Sequence, residues 1–179
     1  MKSKLRSAAG VTLIEMVTLA VIVGVIAALA APRFQRAYDK MQFRAANREI
    51  ISDLRLARSM AITDKTQYGV YFDYTAKTMT IFQDAVNPAL FTFDDGDPVV
   101  RVDTMARNVH YLLTDVTNNC ITFGPNGSAD FTGGGNILTI GVLEDIYCEY
   151  FHNVLRSTGR VRAYDSWEEW ASEHAGDYN

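Results

Sequence analysis

The chain has 179 residues, is 48% hydrophobic and 21% charged, and carries a formal net charge of -4. That length allows one modest globular domain plus a further segment, and charges of both signs spread along the chain exclude a polyanion binder of the whole-protein kind. The two cysteines, Cys120 and Cys148, lie outside any CxxC spacing, which excludes a cysteine zinc site. They form a single disulfide if this part faces an oxidising compartment, or stay as two separate buried thiols in a reducing one.

Residues Met1 to Gly10 are polar and basic, with Lys2, Lys4 and Arg6 and no acid. Val11 to Ala31 then runs apolar for about 21 residues, enough to cross a hydrocarbon core of roughly 30 Å as a helix. The basic flank stays in the cytoplasm, so the rest of the chain projects outward. A secretory signal peptide, with Ala28-Leu29-Ala30 as its cleavage site, and a plain single-span anchor are the alternatives. Neither has a use for Glu15, whose ionised carboxylate costs on the order of 2.5–3.5 kcal/mol at the centre of a membrane. The run is also longer than the signal-peptide core of about 7–15 residues.

Gly10-Val11-Thr12-Leu13-Ile14-Glu15 resembles the signature of type IV prepilins and type II secretion pseudopilins. The resemblance implies that residues 1–10 are a leader removed by a prepilin peptidase after Gly10, at the cytoplasmic face. It makes Val11, in place of the usual phenylalanine, the methylated residue, and Glu15 the acid needed for assembly. Cleavage creates an α-ammonium at Val11, one helical turn from Glu15, and opposite charges attract strongly at low dielectric. Glu15 of an incoming subunit can pair with a neighbour's terminal ammonium and set the axial register, since a buried charge is tolerated when paired.

Pro32 follows the apolar run and favours a kink; in the resembled family a proline here bends the long helix. Arg33 to Thr63 lacks Gly and Pro. Phe34, Tyr38, Met41 and Ala45, then Ile50, Leu54, Ala57 and Ala61, form a helical stripe expected to pack as core. Residues 11–31 are thus a transmembrane or filament-core helix, and 32–179 an outer domain that includes its amphipathic continuation. From Gln67 the period changes toward two. Strands are expected at Tyr68–Phe72 and Met79–Ile81, joined through Asp73–Lys77, and at Val99–Val102, Val109–Leu113 and Cys120–Phe123. Ile137–Val142, Glu149–Leu155 and Arg160–Tyr164 complete the set. The tail from Asp165, with Trp167, Glu168, Glu169, Trp170 and Glu173, reads as a short amphipathic helix or a frayed end. One long helix on antiparallel strands is an α+β domain, and by resemblance a type IV pilin-like fold.

Three further segments resemble the GspH/FimT group of minor pilins and pseudopilins. They are Leu54-Arg55-Leu56-Ala57-Arg58-Ser59-Met60-Ala61, Ile121-Thr122-Phe123-Gly124-Pro125-Asn126-Gly127 and Ser157-Thr158-Gly159-Arg160-Val161-Arg162. The group implies a structural subunit at a filament tip or in its initiation, with other pilin subunits, the prepilin peptidase and the inner membrane as partners. Its use in a secretion pseudopilus or a pilus stays open.

No catalytic constellation accompanies these motifs. His110, His152 and His174 are scattered, no HExxH occurs, and Gly133-Gly134-Gly135 lacks the GK[ST] that cradles phosphate. Asp94-Asp95-Gly96-Asp97 clusters oxygen ligands without EF-hand spacing and reads as a solvated turn, with calcium the less favoured alternative. An enzyme, a cofactor and a metal are not expected. Arg160 and Arg162 lie two apart on a strand and so share one face, with Val161 inward; such a pair can grip phosphates. In FimT-like pilins for DNA uptake a G-R-x-R motif here contacts DNA, which makes a DNA-binding minor pilin the alternative function. The bland reading keeps the arginines for solubility, or for pairing with the acidic tail.

Overall fold

Leu13–Asp64 forms one helix, α1, of 52 residues. The computed structural model describes residues 11–104, 109–113, 118–132, 137–144 and 148–164, with Glu169 and Ser172. Gly10, Gly133–Gly135, His174 and the tail residues Asp165, Trp167, Glu168, Trp170 and Glu173 lie outside the described residues. The chain divides into two units, residues 1–41 and 42–179.

In the first unit the helix is apolar on nearly every side as far as Ala31, with Glu15 the one charged residue of that stretch. An 18-residue window reaches a mean hydropathy of 2.6 with none of it buried, so length and composition suffice to cross a membrane. The helix runs on through Pro32, which has no N–H to give the carbonyl four residues back. Phe34, Tyr38 and Met41 are exposed, at 74%, 57% and 69%, and so is Ala45. The expected core stripe therefore holds only in its second half. In a single chain the first half is an apolar face that covers nothing.

In the second unit burial takes up the helical period. Phe43, Ala46, Ile50, Leu54, Ala57 and Ala61 are buried, each three or four residues from the next, which is one helix face. The strands are β1 (Tyr68–Asp73), β2 (Thr78–Gln83), β3 (Val99–Thr104), β4 (Val109–Leu113), β5 (Cys120–Phe123), β6 (Ala129–Asp130), β7 (Ile137–Glu144), β8 (Cys148–Leu155) and β9 (Arg160–Tyr164). One sheet has the order β3-β2-β1-β5-β6 and the other β4-β7-β8-β9. Every pairing is antiparallel. The helix stripe packs with Val70, Phe72, Met79, Ile81, Ile121 and Phe123 of the first sheet and Val154 of the second. Each large apolar side chain so buried contributes about 1.5–3 kcal/mol.

The expected alternation fails in β2, where Met79 to Phe82 are all buried. The segment following β2 covers the sheet's other face: Phe93 packs on Tyr71 and Phe82, with ring centroids 5.4 and 4.8 Å apart. Gly69 stands opposite Phe82 in the ladder, and a Cβ there would come 2.5 Å from the Phe82 ring. The glycine makes room for that ring.

The same segment corrects the reading of Asp94–Asp97 as a solvated turn, because Asp97 is buried. Its Oδ1 accepts the Ala85 and Val86 amides at 2.9 and 3.0 Å, and its Oδ2 accepts the Asp94 amide at 2.9 Å. A carboxylate buried this way needs such donors. Asp94 in turn accepts the Thr92 hydroxyl at 2.9 Å.

The expected Cys120–Cys148 disulfide is also absent. Cys120 is a buried free thiol in β5, whereas Cys148 opens β8 of the other sheet. Burial, then the charges of Asp84, Asp97 and Asp94, push the Cys120 thiol well above its ordinary pKa, which keeps it unreactive.

Candidate functional site

The motif residues read from the sequence gather in two regions, the start of α1 and the junction of α1 with the glycine turns. Thr12 immediately precedes the helix, and Glu15 lies in its first turn. The Thr12 backbone N–H and hydroxyl both donate to Glu15 Oε2 at 3.0 Å, and the Glu15 amide donates back to Thr12 Oγ1 at 3.3 Å. This is a capping box, in which each side chain satisfies backbone donors that the helix start leaves orphaned. The sequence reading assigned Glu15 to assembly and passed over the cap, although the T-x-x-E spacing signals it. Val11 and Glu15 are exposed.

The three segments that carry the GspH/FimT resemblance meet at one side chain. Arg58 Nε–H donates to the Gly127 carbonyl at 2.9 Å and to the Thr158 carbonyl at 3.1 Å. Gly127 and Gly159 have φ of 81° and 61°, a region that favours glycine. A Cβ on Gly127 would lie 3.0 Å from Arg58 Nη2, and one on Gly159 would lie 3.0 Å from Arg58 Nε and overlap the Gly127 carbonyl oxygen. Both glycines are therefore needed twice, for the turn and for the guanidinium beside it. Arg58 ties the helix to the β5–β6 and β8–β9 turns. A second arginine joins the sheets: Arg156 donates to the Phe131 carbonyl at 2.9 Å and lies 4.2 Å above the Phe131 ring.

From that junction β9 leads away. Arg160 and Arg162 are both exposed, while Val161 packs against the core, as the strand period requires. Arg160 stands opposite Leu155 and Arg162 opposite Asn153.

Three buried titratable groups, Asp53, Asp84 and His152, lie inside the second unit. Asp53, on α1, is fully buried, and neither of its oxygens has a hydrogen-bond partner. Arg101 of β3 reaches it at 3.4 Å, and also Asp103 at 2.6 Å and Glu49 at 3.7 Å. Burial first, and then the neighbouring Asp103 carboxyl, push Asp53 up to about 7 against the pull of Arg101. Asp84 accepts from Gln67 at 2.8 Å; burial raises it to about 6. His152 is buried in β8 and hydrogen-bonded to Asn47 of α1; burial lowers it to about 4, so it is neutral. These groups bind one another, and among the described residues no set of three His, Cys, Asp or Glu is placed to hold a metal ion.

The family model of the type II transport protein GspH matches residues 46–146, more than half of the chain. The chain belongs to the GspH family. Its match includes Arg58 and Gly127, whereas the Glu15 region and the β9 arginines lie outside it. In three dimensions the chain resembles the type IV minor pilin FimU of Pseudomonas aeruginosa. The identity is 16% and the TM-score 0.55, over 70% of this chain and 90% of that one. It is also similar to the minor pseudopilin EpsH of the Vibrio cholerae type 2 secretion system, at 12% identity and a TM-score of 0.52, over 69% of this chain and 97% of that one. At such identities the likeness is one of fold, the α+β type IV pilin-like architecture of a long helix on antiparallel sheets. No curated protein sequence matches the chain.

Proposed function

We propose that this GspH-family protein is a minor pilin or pseudopilin, a structural subunit that initiates or tips a type II secretion pseudopilus or a type IV pilus. The observation that carries this reading is the bare half of α1. Residues 11–31 are apolar and unburied, and Phe34, Tyr38 and Met41 extend that exposed surface. So much apolar area is unfavourable in water, at about 25 cal/mol per Å². A bilayer removes it from water, and so does a filament of like helices.

In this reading a prepilin peptidase cuts after Gly10 and Val11 becomes the methylated terminus. The inner membrane holds residues 11–31 with residues 32–179 on the periplasmic side, and the partners are other pilin or pseudopilin subunits. Glu15 exchanges its cap on Thr12 for a neighbour's ammonium as the helix leaves the lipid. The role is structural, without catalysis. Glu15→Ala leaves membrane insertion intact and abolishes filament incorporation, read by shearing filaments and blotting for the subunit. Wild-type incorporation of that variant contradicts the mechanism.

A second reading rests on the exposure of Arg160 and Arg162 on one face of β9, with the turn supplied by Gly159. It makes the subunit a FimT-like DNA receptor. The mature chain in detergent then shifts duplex DNA in a salt-dependent way, and the Arg160→Ala/Arg162→Ala double variant does not. The absence of any shift at low salt removes this reading.

A further inference from the structure

A cleft of about 280 Å³ opens beside α1, lined by Arg44, Asn47, Arg48, Ile51, Tyr150 and Ala163. The four helix residues are spaced three and four apart, so they share one face of α1. Tyr150 comes from β8 and Ala163 from β9, where Ala163 stands opposite His152 in the ladder. Phe43 fixes the Tyr150 ring, at 5.2 Å between centroids. Alanine at position 163 leaves the space that a larger side chain would fill.

The polar groups here are chiefly donors. Arg44 and Arg48 are exposed, and neither has an acidic partner among the described residues. Asn47 Oδ1 faces His152 Nε2, and with the imidazole assigned as the Nε2–H tautomer the ring donates and the amide oxygen accepts. That bond turns the amide oxygen toward the imidazole and leaves the NH2 group, with two donors, for the cleft. A buried neutral imidazole thus orients an amide, and two guanidinium groups one helical turn apart flank it. A site of two cations and an aligned amide donor is built for a planar anion, which guanidinium groups bind in bidentate fashion.

We propose that this cleft is a carboxylate-recognition site that receives an aspartate or glutamate side chain of an adjoining subunit. The proposal rests on the filament reading for the source of the carboxylate, but not for its chemistry. A partner acid on Arg44 and Arg48 fixes the rotation of one globular domain against the next. Lateral packing of apolar helices leaves that rotation free. Asn47 is a positioning residue for the same acid.

The test uses the full mature chain in detergent micelles. The arginine Nε–Hε resonances, assigned with Arg44→Lys and Arg48→Lys, are followed during titration with N-acetyl-glutamate N-methylamide. The glutamine analogue and inorganic phosphate serve as comparisons. The expected result is saturable shifts of both resonances with the glutamate compound and none with glutamine. Arg44→Ala weakens that binding by about tenfold or more, as loss of one charged hydrogen bond requires. Arg44 is exposed, so this variant folds, which an unchanged backbone amide spectrum verifies. No saturation with glutamate, or saturation at lower concentration with phosphate, overturns the assignment.

A second arm reads the occupant. Arg44→Glu/Arg48→Glu reduces filament incorporation several-fold while membrane insertion is kept, and equal incorporation overturns the inter-subunit role. If the wild type itself enters no filament, the filament reading fails, and the titration still decides the chemistry of the cleft.

Discussion

Asp53 is a fully buried carboxyl of the globular unit whose oxygens make no hydrogen bond and whose Oδ1 lies 3.4 Å from Arg101. Its folded pKa of about 7 exceeds the ordinary aspartate value of about 3.9. The folded state therefore binds the proton more tightly than the unfolded one. The stability this contributes is complete below the ordinary value and is lost as pH rises through about 7. Asp84, raised to about 6, acts in the same direction. His152, lowered to about 4, acts oppositely, adding stability as pH rises toward the free imidazole value of about 6.5. The clean window lies above that value. Between about pH 6.5 and 8 the wild type loses on the order of 1 kcal/mol, and Asp53→Asn removes most of that loss, as read by denaturant melts at both pH values. An unchanged loss in the variant contradicts the assignment. From sequence, Glu49 and Asp53 are two acids four apart on a helix, the mark of a solvated face. Only the pairing of β3 with β2 brings Arg101 and Asp103 against them, and that pairing is not a local property.

At the scale of elements, α1 was the most legible part because its signal is continuous. An apolar run followed by a stretch without Gly or Pro became a 52-residue helix. Its burial was less legible. Phe34, Tyr38 and Met41 have the same spacing as Phe43, Ala46 and Ile50, and periodicity marks a face without saying which partner covers it. The strands were found with small shifts at their ends, except β6. Two residues, Ala129–Asp130, are too few to show a period. The motif segments around Arg58, Gly127 and Gly159 were visible as words, but their meeting point required the fold. That meeting point makes a strong demand on the β8–β9 turn. Gly159→Ala introduces a side chain at φ of 61° that overlaps the Gly127 carbonyl, and destabilises the chain by roughly 1–3 kcal/mol in a denaturant melt. Gly24→Ala, inside α1 with nothing within 4 Å, is the control and does not destabilise the chain, since alanine favours the helix. Equal melts for the two variants contradict the clamp.

Across the whole molecule, one helix serves two environments. Residues 42–64 build the core of an α+β unit with the two sheets, and residues 11–41 present an apolar surface that the chain itself does not cover. A GspH-family domain joined to such a helix is a part made for an assembly. Within the chain the Glu15 cap fixes the start of that helix, and the Arg58 clamp ties it to the two glycine turns. The central claim is that the chain is processed as a prepilin, and the intact mass and N-terminal sequence of the protein extracted from its native membrane test it most directly. The account predicts a chain that begins at methylated Val11. A chain that begins at Ala31 contradicts it, since the apolar helix and Glu15 would then be discarded before any filament could form.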